Sequence, residues 1–305
     1  MSTTASNRAT RREGRVDVPG GWVWYEERGD GPQAVVLLHG GPGASSDYLE
    51  PLMAPLAERG YRVVRYDQLG SRRSARPDDA SLWNAPRFVA EVDTVRQALG
   101  LGRVHLLGQS WGGMLGMEYA LTQPQGIVSL TIASSPCSMA LWLEEANRLR
   151  EELPPEVQRT LLAHEAAGTT DSPEYEAAMS VFYQRHVCRL DPMPEPVQRS
   201  FAKLAANPEV YHTMNGPSEF HVVGTLKTWD VCDRLGEITI PTLVTSGRFD
   251  EATLRIAETV THGIPGAQWV VFEESSHMAH AEQPEAYIEV LDAFLGQVEE
   301  AVAQA

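Results

Sequence analysis

The 305-residue sequence has no apolar run long enough to cross a bilayer, no internal repeat, and no low-complexity tract beyond its N-terminal stretch. Those absences exclude a helical membrane protein, a solenoid and a low-complexity chain. Cysteine is scarce: Cys137, Cys188 and Cys232 lie far apart and in no metal-ligand spacing. An odd, sparse set excludes a zinc module and a dense disulfide framework, and the expectation is free thiols in a reducing compartment. Positive charge is also short, with 25 Lys and Arg against 41 Asp and Glu and a formal charge of −16. That balance repels nucleic acid and anionic membrane, and mildly favours cationic or neutral substrates. The first fifteen residues carry Arg8, Arg11, Arg12 and Arg15 but no apolar core, so they do not read as a secretory signal. Residues 1–15 are expected to be a disordered tail, and the protein to be cytoplasmic. The remainder is ordinary for a globular chain, 43% apolar and 22% charged, and long enough for a large α/β core.

Periodicity divides the chain into three parts. Trp22–Tyr25 is aromatic and β-prone, and Ala34–Leu38 is a continuous apolar run ended by glycines, as expected of a strand buried on both faces. A helix at Tyr48–Arg59, a strand at Tyr61–Tyr66, a helix at Arg87–Leu99, and strands at Arg103–Leu107 and Val128–Ala133 follow in alternation. The expectation is a mostly parallel central sheet flanked by helices, with right-handed crossovers. From Met139 to Asp233 the pattern is helical, broken by prolines and without a buried strand run. This stretch reads as a helical cap inserted after the sixth strand. Alternation resumes with Thr242–Ser246, a helix near Leu254–His262, the strand Trp269–Phe272 and a closing helix from Pro284. The core is therefore expected at residues 16–138 and 234–305, with the cap at 139–233.

Gly108-Gln109-Ser110-Trp111-Gly112 stands between a strand and a helix. A Gly-x-Ser-x-Gly in that setting is a nucleophile elbow, whose tight turn lifts the serine Oγ above the sheet. A serine hydroxyl needs an adjacent base, itself oriented by a carboxylate. Asp250 follows the Thr242–Ser246 strand and His277 follows the Trp269–Phe272 strand, in the order Ser, Asp, His that such a sheet requires. Ser110, Asp250 and His277 are the candidate triad. Donors for a developing oxyanion are expected at the backbone N–H of Trp111 and, from the glycine-rich loop His39–Gly43, that of Gly41. No Lys-Ser/Thr pair follows this loop, so it is not read as a phosphate cradle. His39 is expected to hold its own loop, His105 to be buried, and Glu144-Glu145 to be a solvated helix face. His186, His212 and His221 show no ligand spacing, and no metal or cofactor is expected.

His39-Gly40-Gly41-Pro42-Gly43, Asp67-Gln68-Leu69-Gly70-Ser71-Arg72-Arg73-Ser74 and Gly108-Gln109-Ser110-Trp111-Gly112-Gly113 together resemble the proline iminopeptidase family of α/β-hydrolases, which includes the tricorn-associated aminopeptidase and bacterial L-amino-acid amidases. The resemblance extends to Met214–Phe220 and to Trp229-Asp230. It implies the α/β-hydrolase fold. It also implies that Glu219 and Glu251 hold the free α-ammonium of a substrate, a pairing that would discriminate against acylated N-termini. The implied activity is release of an unblocked N-terminal amino acid, proline or another apolar residue, from a short peptide or aminoacyl amide through an acyl-enzyme. The alternatives are an amidase or esterase on small aminoacyl amides, or a biosynthetic thioesterase or acyltransferase. The triad order argues against a non-catalytic ligand receptor, and Ser110 against epoxide hydrolases and dehalogenases, which place an aspartate at the elbow.

Overall fold

The computed structural model describes residues 10–304. Eight strands form one sheet in the order β1-β2-β4-β3-β5-β6-β7-β8: β1 (Arg11–Val18), β2 (Gly21–Arg28), β3 (Gln33–Leu38), β4 (Tyr61–Asp67), β5 (Val104–Gln109), β6 (Ile127–Ala133), β7 (Thr242–Gly247) and β8 (Gln268–Phe272). β1 and β2 pair antiparallel, β2 meets β4 antiparallel, and every later pairing is parallel. The α/β-hydrolase architecture expected from the sequence is the one observed.

Strand β3 shows why its apolar run is continuous. Ala34, Val36 and Leu38 pack into one core cluster, and Val35 and Leu37 into the other. Side chains alternate across a strand, so a sheet covered on both faces needs apolar residues at every position. One face is covered by α2 (Ala85–Ala98), α3 (Trp111–Leu121) and α9 (Leu254–Gly263); α1 (Glu50–Glu58) and α11 (Pro284–Gln304) cover the other. Between β6 and β7 come α4 (Met139–Glu151), α5 (Pro155–Ala167), α6 (Pro173–His186), α7 (Glu195–Ala205) and α8 (Glu209–Met214), with the short α10 (Ala279–Glu282) after β8. No helix among the described residues is long and apolar enough to cross a membrane.

Three expectations need correction. Residues 11–15 are not a disordered tail but the start of β1, paired in register from Arg11↔Arg28 to Val18↔Gly21; residues 1–9 lie outside the described residues. Only its end alternates, with Val16 and Val18 buried in the core; Arg11, Arg12 and Arg15 show no such pattern and are matched by β2 instead. Arg11 pairs with Glu26 at 2.7 Å, Arg12 with Glu27 at 3.2 Å, and the Arg15 guanidinium stacks 3.7 Å from the Trp22 ring. Two cysteines expected as free thiols are joined: Cys137 and Cys232 form a disulfide, and Cys188 remains free and buried. The chain leaves the core after β6 and returns before β7 side by side, with Ser138 bridging Asp230 and Val231 N–H donating to Cys137 O at 2.8 Å. That pairing brings together thiols 95 residues apart. Finally, Glu145 is buried rather than solvated: it accepts from Thr253 Oγ1 at 2.7 Å and pairs with Arg148 and Arg255, tying α4 to the start of α9. Its neighbour Glu144 is exposed and pairs with Arg255 at 2.5 Å.

Candidate active site

The elbow follows from sterics. Ser110 has φ 56° and ψ −125°, a conformation costing a non-glycine residue about 1–3 kcal/mol. Its neighbours hold it there, because Ser110 N–H donates to Ala133 O at 2.9 Å and Ser135 Oγ donates to Ser110 O at 2.8 Å. A Cβ on Gly108 would stand 2.0 Å from Gly112 O, and one on Gly112 would stand 2.0 Å from Leu38 O. Only glycine lets strand, turn and helix approach this closely.

Parallel strands deliver their loops to one edge of the sheet, and there Asp250 and His277 meet. Asp250 Oδ1 lies 2.8 Å from His277 Nδ1 and also accepts from Ala252 N–H at 2.8 Å. Both side chains are buried. With Nδ1 held by the carboxylate, Nε2 is the ring atom left to act as a base. Nε2 lies 3.5 Å from Glu251 Oε1, while Ser110 Oγ has no hydrogen-bond partner among the described residues. Catalytic hydrogen bonds commonly tighten only once substrate is bound.

The glycine-rich loop stands beside the elbow, with Gly40 packed so closely on Ser110 that an added Cβ would meet its Cβ at 3.0 Å. Gly41 has φ 110°, and Gly41, Ser110 and Trp111 line one small recess. Trp111 begins α3, where a helix leaves its first N–H groups free; neither that N–H nor the N–H of Gly41 donates within the described residues. His39 holds the loop, as expected: Nδ1 lies 2.8 Å from Gly40 O, and Nε2 accepts from Gln68 N–H at 2.9 Å. Burial lowers its pKa, which suits an acceptor Nε2. His105 is buried in β5.

Several positioning groups were not singled out from the sequence. Tyr48 OH accepts from Gly40 N–H at 2.6 Å and donates to Gln109 Oε1 at 2.7 Å, while Gln109 Nε2 donates to His277 O at 3.1 Å. One chain of hydrogen bonds thus runs from the glycine-rich loop to the histidine loop. Gln68 bonds His39 O and accepts from Trp111 Nε1. The His186 carbonyl, at the end of α6, accepts from both Glu251 N–H and His277 N–H at 3.1 Å, and the Trp142 ring stands edge-on to His277 with centroids 6.4 Å apart. Gln109 and Gln68 lie within motifs and were legible there. Tyr48, Trp142 and His186 carry no local signal.

Glu219 and Glu251 line the same cavity as Ser110 and His277, a space of about 530 Å³ whose wall is otherwise largely apolar, with Met179, Tyr183, Val187, Phe201 and Leu204 among its residues. Glu219 Oε1 accepts from Tyr211 OH at 2.5 Å, and Trp142 Nε1 donates to Glu219 O at 3.1 Å. Glu251 is buried, and its Oε2 has no partner. Burial raises the Glu219 pKa against the opposing influence of Tyr211 and His277. Burial also pushes Glu251 well above the usual range, and the charges of Glu219 and Asp250 push the same way. Two carboxylates that each disfavour ionisation of the other form a site that a cation would stabilise. Among the described residues no group of three or more His, Cys, Asp or Glu converges as metal ligands.

Behind the loop lies a charged cluster that ties α7 to the core. Arg73 pairs with Asp67 at 2.8 Å and with Asp47 at 2.9 Å, and lies 3.8 Å from the Trp24 ring. Lys203 of α7 reaches Asp47. Burial opposes ionisation of Asp67, but Arg73 outweighs it and holds the carboxyl down at about 2.

Residues 33–284 match the family model of the alpha/beta hydrolase fold. The chain is 44% identical over 289 residues to the proline iminopeptidase of Heyndrickxia coagulans, covering 94% of this chain and 99% of that one. Its structure is similar to the crystal structure of VinJ, with a TM-score of 0.91, 45% identity, and coverage of 94% of this chain and 99% of that one. It is similar also to the proline iminopeptidase of Mycobacterium smegmatis, with a TM-score of 0.88, 44% identity, and coverage of 95% and 100%.

Proposed function

The chain belongs to the proline iminopeptidase family of α/β-hydrolases, and from that premise we propose that it is a serine hydrolase releasing an unblocked N-terminal amino acid, proline or another apolar residue, from short peptides or amides. The observation that carries the substrate half of this reading is the pair Glu219 and Glu251, set in one cavity with Ser110 and His277, with Glu251 Oε2 lacking a partner. A substrate α-ammonium supplies the missing charge and donors.

In the proposed reaction His277 Nε2 takes the proton from Ser110 Oγ as the oxygen attacks the carbonyl carbon of the first residue. Asp250 keeps Nδ1 protonated and stabilises the imidazolium. The oxyanion receives the N–H groups of Gly41 and Trp111, each such donor contributing about 10²–10³ in kcat. His277 then protonates the departing amine. Water, activated by the same imidazole, cleaves the acyl-enzyme and restores Ser110. Residues 139–233 act as the cap, whose apolar wall takes the side chain of the released residue. Fixing the ammonium at one end and the carbonyl at the other allows attack only one residue from the N-terminus.

The test compares kcat/KM for prolyl and other aminoacyl arylamides with their N-acetyl counterparts. Acetylation removes the cation and leaves two buried carboxylates unmatched, so the blocked series should lose at least about 100-fold. Equal turnover of the two series would overturn the reading.

A further inference from the structure

We propose that the cavity also selects on the leaving-group side: it accepts uncharged or cationic leaving groups, as in amides and amidated or longer peptides, and rejects dipeptides, whose free carboxylate lies beside the scissile bond. This rests on the aminopeptidase reading above and adds the chemistry of the released fragment.

The cavity wall carries four carboxylates. Glu219 and Glu251 stand by Ser110, and Asp171 and Glu176, both exposed, stand at the mouth where the α5–α6 turn meets the opening. No Lys or Arg is among the described residues of that wall; its basic side chains are the imidazoles of His277, engaged with Asp250, and of exposed His212. One bound ammonium offsets at most one of the inner carboxylates. The exposed Asp171 and Glu176 at the mouth stay uncompensated, so a substrate meets negative charge there even when correctly seated. Glu251 Oε2, buried and unpartnered, marks the inner end as a place built for positive charge.

In a dipeptide the carboxylate carbon is two bonds from the scissile nitrogen, so it must enter this cavity with the bond to be cleaved. The wall hydroxyls, Ser180 and Tyr183 among them, can donate hydrogen bonds but bring no compensating charge. A desolvated carboxylate facing like charges is disfavoured in binding and again as the oxyanion develops nearby. Converting the same carboxylate to an amide removes the repulsion and leaves shape nearly unchanged. In a longer peptide the terminal carboxylate moves past the mouth into water, where salt screens it.

The experiment measures kcat/KM for prolylalanine and prolylalaninamide, with N-acetylprolyl arylamide as a third substrate. The wild-type ratio of amide to dipeptide should be at least about tenfold, or ~1.4 kcal/mol. It should narrow in the double variant Asp171→Asn/Glu176→Gln, and also when ionic strength rises from about 0.02 M to about 0.5 M, because the mouth charges are exposed. A ratio near one, or a large ratio moved by neither the double variant nor salt, overturns the proposal. Cleavage of the N-acetylprolyl arylamide with neither free-amine substrate turned over would instead defeat the aminopeptidase reading.

Discussion

Replacing Glu251 by Gln should make the protein more stable and less active, and the two changes should share a pH window. Glu251 is 4% exposed, its Oε2 is unpartnered, and burial together with the charges of Glu219 and Asp250 raises its pKa well above the usual value. In the unfolded chain the same group ionises near 4.3. Between those two values the native state holds more protons than the unfolded state, so this group makes stability fall as pH rises through the window. Glutamine keeps the shape and removes the titration. Near pH 4 the variant should match the wild type, and at higher pH it should gain about 1.4 kcal/mol for each pH unit across the window. Each such unit corresponds to a midpoint rise of about 2–6 °C in a thermal melt followed by circular dichroism. Losing one of the two carboxylates proposed to face a substrate ammonium should cost about 2–3 kcal/mol of transition-state binding, a fall in kcat/KM of about 30- to 150-fold on free aminoacyl arylamides. Because Glu251 Oε1 is 3.5 Å from His277 Nε2, a control for triad damage is needed. The rate of Ser110 labelling by a fluorophosphonate, which carries no ammonium, should stay at its wild-type value. A variant that is less stable at high pH, or that loses fluorophosphonate labelling in step with aminoacyl turnover, would refute the assignment.

Asp250→Asn preserves volume but presents the wrong partner to His277 Nδ1, and kcat should drop about 10⁴-fold while the thermal midpoint stays close to that of the wild type; a loss under tenfold would remove Asp250 from the triad. Reducing Cys137–Cys232 with a dithiol, which takes up the disulfide as its own, frees a 95-residue loop and should lower the unfolding free energy in urea by up to about 4–5 kcal/mol. Turnover of a prolyl arylamide before denaturation should persist, because Met139 N–H to Trp229 O and Val231 N–H to Cys137 O still hold the two segments together; an unchanged urea midpoint would show that the disulfide contributes nothing to stability.

Nearly all of the sheet and its alternating helices were legible because each element announces itself within its own window. The run Ala34–Leu38 marks a doubly covered strand, and the closing helix begins at Pro284 in sequence and structure alike. The meeting of Ser110, Asp250 and His277 at one edge of the sheet was legible for a related reason. In a parallel sheet the loops after β5, β7 and β8 emerge at one edge, so chain order stands in for spatial proximity. Strand β1 was missed because its stabilising partners lie on another strand. Arg11, Arg12 and Arg15 look like a solvated tail until Glu26, Glu27 and Trp22 are set beside them. Glu145 was misread for the same reason, since Thr253 and Arg255 come from another part of the chain.

The sequence by itself determined the reaction type: a serine raised on a glycine-flanked turn, with an aspartate and a histidine following in order, is set by local sterics and strand order. Tertiary structure alone decided what surrounds that serine. Glu219 comes from the segment after α8 and Glu251 from the loop after β7, and only packing of the α4–α8 segment over the sheet edge places both in one cavity with Ser110. The joining of Cys137 to Cys232, the reach of Lys203 to Asp47, and the carboxylates at the cavity mouth arise in the same way. The physical reason is range. Propensity and turn geometry act over a few residues, whereas the field in a cavity is the sum of charges that the folded chain brings together from distant positions.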